Sequence, residues 1–149
     1  MPNHNSSTIK VQKRDGRLES LDINKSQFVV EEAWEGLSGV SSSQIEMNAN
    51  IQFYDGMTTK DIQNVLVRSA NDLISLEAPN YQYAAARLLS YDVRKEAHGQ
   101  YEYIPLLKLI LRNIRLGVYD KGILDKYSKT ELKKFNTWIK RDRDLKFTY

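Results

Sequence analysis

Residues 8–23 constrain the fold of this chain more than any other stretch. Thr8-Ile9-Lys10-Val11-Gln12-Lys13 alternates apolar and polar side chains, the period of a half-buried strand. Leu18 to Ile23 reads as a return strand. Between them, Arg14-Asp15-Gly16-Arg17 supplies the Asp-Gly pair that favours a tight hairpin turn. Downstream the apolar spacing is mostly three and four, so a small hairpin must be combined with helices. The expected class is α+β, mainly helical.

Helix starts can be read from capping chemistry. Asn24 with Gln27 forms a capping box, opening a helix to about Leu37 that should bury Phe28, Val29, Ala33, Trp34 and Leu37. Gly36 and Gly39 help end it. Ser43 with Glu46 opens a short second helix. Ile51 to Asp55 (IQFYD) is either a third strand or the end of that helix. Thr58 with Asp61 caps a third helix, whose face is Ile62, Val65, Leu66, Ala70, Leu73 and Ile74. Pro79 precedes a fourth helix over Tyr81 to Ala97, with Ala84, Ala85, Leu88, Leu89 and Val93 as its stripe and Gly99 ending it. Leu106 to Leu116 and a helix opened by Ser128 and Glu131 form a second helical unit. The last residues, Asp144 to Tyr149, alternate like a strand with no partner to follow, which suggests a chain cut short.

Composition narrows the function. At 149 residues, 41% hydrophobic and 28% charged, the chain is the size of one domain with an appendage. It has no run of the roughly 20 apolar residues needed to span a bilayer, and MPNHNSST lacks the features of a secretory signal. Residues 1–7 read as disordered. The absence of cysteine rules out disulfides, thiolate metal sites and cysteine chemistry within the chain and fits a reducing compartment. His4 and His98 are far apart, so no metal site is expected. The net charge of +3 is divided: residues 1–99 carry 10 Lys and Arg against 13 Asp and Glu, and residues 100–149 carry 12 against 6. The basic excess sits at Lys126, Lys129, Lys133, Lys134, Lys140 and Lys146, interleaved with Leu124, Leu132, Phe135, Trp138 and Ile139, as on an amphipathic helix with a cationic solvent face.

The chemical interest lies at the hairpin. Lys13, Arg14 and Arg17 surround the turn, and Glu19, Asp22 and Lys25 follow. Cations there neutralise phosphate, and a carboxylate accepts from an exocyclic amine. Consecutive strand residues point to opposite faces, so Lys13 and Arg14 reach one ligand only at a strand end. Lys95, near the end of the fourth helix, is placed to converge if the hairpin covers the bundle. Thr59 stands at the start of the third helix, where free N–H groups and the dipole favour an anion. No Gly-rich phosphate loop is present, so side chains must hold any nucleotide. Catalytic patterns are missing: Glu31, Glu32 and Glu35 lack a second carboxylate helix and the Glu-x-x-His repeat of di-iron sites. Trp34 and Trp138 read as core, and Tyr81 and Tyr83 as packing residues.

The runs KRDGRLESLDINK, IQFYDGMTTKDIQ, APNYQYAAARLL and RKEAHGQYE resemble the N-terminus of the large (alpha) subunit of class Ia ribonucleotide reductase. The resemblance covers residues 8–149. It implies an ATP-cone at 8–99, a small β-sheet or hairpin capping a four-helix bundle, followed at 100–149 by a helical lead-in to a catalytic barrel that is absent here. The implied role is allosteric: ATP or dATP, with magnesium, bound as an effector of overall reductase activity, with no redox cofactor and no catalytic residue in this chain. The implied partners are the rest of the large subunit, the small radical subunit and further copies of the chain in a cytoplasmic setting, bacterial or phage-infected, with no membrane and no nucleic acid. Carried over by position, phosphate and base contacts fall on Lys13, Arg14, Lys25, Thr59 and Lys95, with Glu19 reading the adenine amine.

Two departures matter. The family often has Asn near Asp22 and His at the position of Gln63. Glutamine hydrogen-bonds without charge, so weakened dATP inhibition is expected. MTTKDIQ also resembles phage members of the family. Without cysteine the chain cannot itself reduce a ribonucleotide, which fits a fragment, a split-gene product or a truncated relative. Two alternatives carry different tests: a free-standing ATP-cone regulator, and a nucleic-acid module using the basic C-terminal third.

Overall fold

The computed structural model describes residues 9–149, so the expectation of a disordered start lies outside the described residues. Strand β1 (Lys10–Gln12) pairs antiparallel with β2 (Leu18–Ser20), with Val11 opposite Glu19. On its other side β1 pairs parallel with β3 (Met57–Thr58), placing Val11 beside Met57 and Gln12 beside Thr58. β1 is thus the central strand of three. The Lys13 N–H donates to the Arg17 carbonyl at 2.8 Å and the Gly16 N–H to the Lys13 carbonyl at 2.9 Å. Within this turn only Gly16 has a positive φ, 85°. A two-residue Asp-Gly turn would need Asp15 left-handed as well, so the connection is the three-residue loop Arg14-Asp15-Gly16.

Ile51 to Asp55 follows neither alternative. Helix α2 (Ser42–Asn50) ends with Ile51 as its C-cap, and the strand begins later, at Met57. The chain is turned into β3 at Gly56, φ 84°, whose N–H donates to the Lys10 carbonyl at 2.8 Å. The Asp55 carboxylate accepts from the Lys10 N–H at 2.8 Å. These two bonds clamp β3 onto β1.

Helix α1 (Ile23–Trp34) starts two residues earlier than its expected cap, Asn24, allows. Its N-cap is Asp22, whose carboxylate accepts from the Asn24 N–H, so no Asn24–Gln27 capping box forms. Gln27 instead donates to Glu46 at 3.5 Å. The buried face of α1 is Val29, Val30 and Ala33. Phe28, expected in the core, is half exposed because it lies off that stripe. α2 is capped by Ser41, two residues before the expected Ser43, with the Ser41 hydroxyl accepting from the Gln44 N–H. Helix α3 (Thr59–Asn71) has the expected cap: Thr58 Oγ1 accepts from the Asp61 N–H at 3.0 Å and donates to the Asp61 carboxylate at 2.6 Å. Leu73 and Ile74 lie beyond its end, and Ile74 is exposed.

Helix α4 (Tyr81–His98) buries Tyr81, Ala84, Ala85, Ala86, Leu88 and Asp92. Val93, expected on the stripe, is 57% exposed, because the 3.6-residue period carries the buried face from Leu88 to Asp92 instead. The buried Tyr81 hydroxyl donates to Gln44 at 2.6 Å and accepts from the Ser41 N–H at 3.0 Å, tying α2 to α4. One core unites Val11 and Met57 of the sheet with residues from all four helices, including Val30, Ile45, Leu66 and Leu88. The chain divides into two compact units, one running to Asp92 with Lys146–Tyr149 added, the other spanning Val93–Leu145.

The second unit contains α5 (Leu106–Arg115), α6 (Ile123–Lys126) and α7 (Lys129–Asn136), with Ile104, Ile110 and Leu132 buried. Pro105 has no side chain with which to cap α5, so Asn136 on α7 accepts from the Leu106 N–H at 2.9 Å. The Ser128–Glu131 capping box forms in both directions. The single amphipathic helix expected across the basic tail does not form. A 3-10 helix (Arg141–Lys146) follows α7, and Trp138 is 61% exposed rather than core. The strand-like ending is likewise not a strand: its last N–H, of Tyr149, donates to the Gln82 carbonyl at 3.2 Å.

Candidate nucleotide site

The parallel pairing of β1 and β3 builds the site. Gln12 lies beside Thr58, so the end of β1, where Lys13 and Arg14 enter the turn, stands next to the first turn of α3, where Thr59 lies. The first N–H groups of a helix have no intrahelical partner and carry the positive end of its dipole. The sheet therefore brings two cations to an anion-favouring helix start, with the Asp61 carboxylate already facing part of that end.

Strand alternation then sorts the side chains. Lys13 is two residues from Val11, and Glu19 is directly opposite Val11, so all three share the face turned to the helices. Lys13 Nζ lies 3.3 Å from Glu19 Oε2. Arg17 reaches Glu19 at 3.5 Å and Asp15 at 2.7 Å, and this Arg17 hydrogen bond lowers the Asp15 pKa. Arg14, in the turn itself, donates from Nη2 to Asp92 Oδ1 on the buried face of α4 at 3.1 Å. Lys25 and Asp22 pair with each other at 3.7 Å, both well exposed, while Asp22 also caps α1. Gln63, one turn into α3, is buried, and its amide donates to the Leu88 carbonyl at 2.8 Å. That bond ties α3 to α4. Lys95 lies in the last turn of α4, among the residues of the second unit.

Asp92 escaped the sequence reading. A signal was present: Tyr81, Ala85, Leu88 and Asp92 follow spacings of four, three and four, which put a carboxylate on the buried stripe of α4. A buried charge calls for a cation partner, and Arg14 is that partner.

The ATP-cone domain family matches residues 9–96. The chain belongs to the ATP-cone family. Its cone takes in both strands of the hairpin, the α3 start and Asp92. The chain is also 43% identical over 144 residues to ribonucleoside-diphosphate reductase 1 subunit alpha of Salmonella typhimurium (strain LT2), covering 97% of this chain and 19% of that protein. The corresponding Escherichia coli (strain K12) protein is 42% identical over the same coverage. The Helicobacter pylori (strain 26695) subunit alpha is 38% identical over 141 residues, covering 95% of this chain and 18% of that one. The chain therefore spans about a fifth of the length of the curated relatives it matches.

Outside the cone, Ile104, Leu107, Leu111, Lys108, Arg112, Arg115 and Lys133 line an open groove of about 510 Å³ in the second unit. Among the described residues, no helix is long and apolar enough to cross a membrane, and no group of three His, Cys, Asp or Glu is placed to hold a metal.

Proposed function

We propose that this ATP-cone is an allosteric adenine-nucleotide sensor for the overall activity of a ribonucleotide reductase, binding ATP or dATP and performing no chemistry of its own. One observation carries the reading: the β1–β3 register that sets the hairpin cations beside the α3 start. The donor set suits a polyphosphate held by side chains. Lys13, Arg14 and Lys25 supply charge, Thr59 and the helix start supply hydrogen bonds, and Glu19 accepts from the adenine amine. Asp22 positions α1 beside them. Magnesium would accompany the triphosphate. The assignment of Lys95 rests on the resemblance and on its place in the last turn of α4.

The partners in this reading are the remainder of the large subunit, the small radical subunit and other copies of the cone, in the cytoplasm. Weakened dATP inhibition belongs to it as well. Gln63 holds the α4 backbone and brings no positive charge to a phosphate. Titration calorimetry of the chain with ATP, dATP and GTP tests the assignment. Binding of the adenine nucleotides with GTP much weaker is expected. No heat with either adenine nucleotide would sink it, and dATP binding far tighter than ATP would remove the weakened-inhibition part.

A further inference from the structure

The cations at the hairpin are each matched by a carboxylate. Lys13 meets Glu19, Arg17 meets Asp15 and Glu19, Lys25 meets Asp22, and Arg14 meets Asp92. A phosphate arriving here must exchange existing ion pairs rather than fill a vacant positive patch.

The four exchanges are not equivalent. The side chains of Glu19, Asp15 and Asp22 are 39%, 53% and 44% exposed, on a hairpin and a helix cap. Such pairs are worth little, and their carboxylates return to water when the cation leaves. The Asp92 side chain is 11% exposed and stands on an 18-residue helix. Deprived of Arg14 it would be a buried charge without compensation, which is expensive. Arg14 is therefore held by a carboxylate that has nowhere to go.

We infer that Asp92 is a further specificity-determining residue of the nucleotide site: a fixed carboxylate that competes with phosphate for Arg14 and penalises a ligand in proportion to its negative charge. The inference rests on the nucleotide reading above. Arg14 has five N–H donors, so it can contact a ligand without leaving Asp92, but part of its charge is already answered. The first phosphate contacts made through Lys13 and the α3 start escape this penalty. Each additional charge brought toward Arg14 meets it.

The test is calorimetry of the chain and of Asp92→Asn with ATP, AMP and adenosine. Asparagine keeps the shape and one acceptor for Arg14 but removes the charge. Releasing one charge-assisted hydrogen bond to the ligand should tighten ATP binding roughly tenfold. The gain should be smaller for AMP and absent for adenosine, with an unchanged circular dichroism spectrum. Asp92→Ser, smaller and also uncharged, must show the same order of gains. If the unaltered chain binds ATP and Asp92→Asn binds it equally or less tightly, the inference fails and the nucleotide reading stands. Equal gains for all three ligands would also overturn it, since a loosened fold would not discriminate by charge. Binding of no adenine nucleotide by any of these chains overturns both readings.

Discussion

The hairpin cations of the first unit and the arginines around Tyr103 in the second are used in opposite ways. In the first unit, Lys13, Arg14, Arg17 and Lys25 are paired with carboxylates at distances from 2.7 to 3.7 Å. In the second unit Arg94, Arg112 and Arg141 rest on π faces and backbone carbonyls. Arg94 lies 4.6 Å from the Tyr101 ring centre and 4.7 Å from that of Tyr103, and Arg141 stacks on the Tyr103 ring at 4.6 Å. Arg112 donates to the carbonyls of Ala97 and His98, and the Tyr103 hydroxyl donates to Asp144. An exposed ion pair is readily exchanged for another anion, whereas a guanidinium closing a helix end is part of the fold. Arg112 and Arg141 of the basic third are thus committed to contacts within their own unit.

The largest effect that would break this contrast is in the cone's core. Leu88 is fully buried and its carbonyl accepts from Gln63, so Leu88→Ala should destabilise the cone by about 2–5 kcal/mol in urea unfolding. Next, Lys13→Ala should weaken ATP binding at least about tenfold, the worth of one charge-assisted contact. Arg94→Ala and Lys133→Ala should leave ATP affinity unchanged in the same calorimetry. Equal losses at all three positions would erase the distinction between exchangeable and structural cations. Tyr103→Leu removes the ring shared by Arg94 and Arg141. It should lower the stability of the second unit by about 1–2 kcal/mol without altering ATP affinity.

The smallest expected effect is a pH dependence. The pKa of His98 is lowered from 6.5, first by burial and then by Arg112, Arg94 and Arg141. The folded state therefore binds this proton less readily than the unfolded one. Its neutral form is compatible with the fold above pH 6.5, and stability falls as pH drops from 6.5 toward the lower folded value. His98→Gln should flatten the melting temperature between pH 7.5 and 5.5 relative to the unaltered chain. An unchanged slope would show that neither burial nor the arginines depress this imidazole.

Much of the fold was legible in local chemistry. The Thr58–Asp61 cap, the Ser128–Glu131 box and the span of α4 each depend on residues within one turn of one another, and they formed as read. The hairpin did too, though with a three-residue loop. Where two caps competed, the nearer carboxylate won at Asp22, and Ser41 displaced Ser43. Trp138 misled because an apolar stripe predicts burial only if the helix continues beneath it, and α7 ends at Asn136.

The sequence alone determined that a hairpin with three cations would accompany a set of helices, because alternation, Asp-Gly and capping residues act at short range. The tertiary structure alone decided what those cations face. A two-residue strand such as Met57–Thr58 has no periodicity to read, and its parallel register beside β1 is a long-range pairing. The partnership of Arg14 with Asp92 spans 78 residues and exists because Asp92 falls on the buried face of α4. Burial and strand register are properties of the assembled core, so the site's charge balance became visible only once the core was in place.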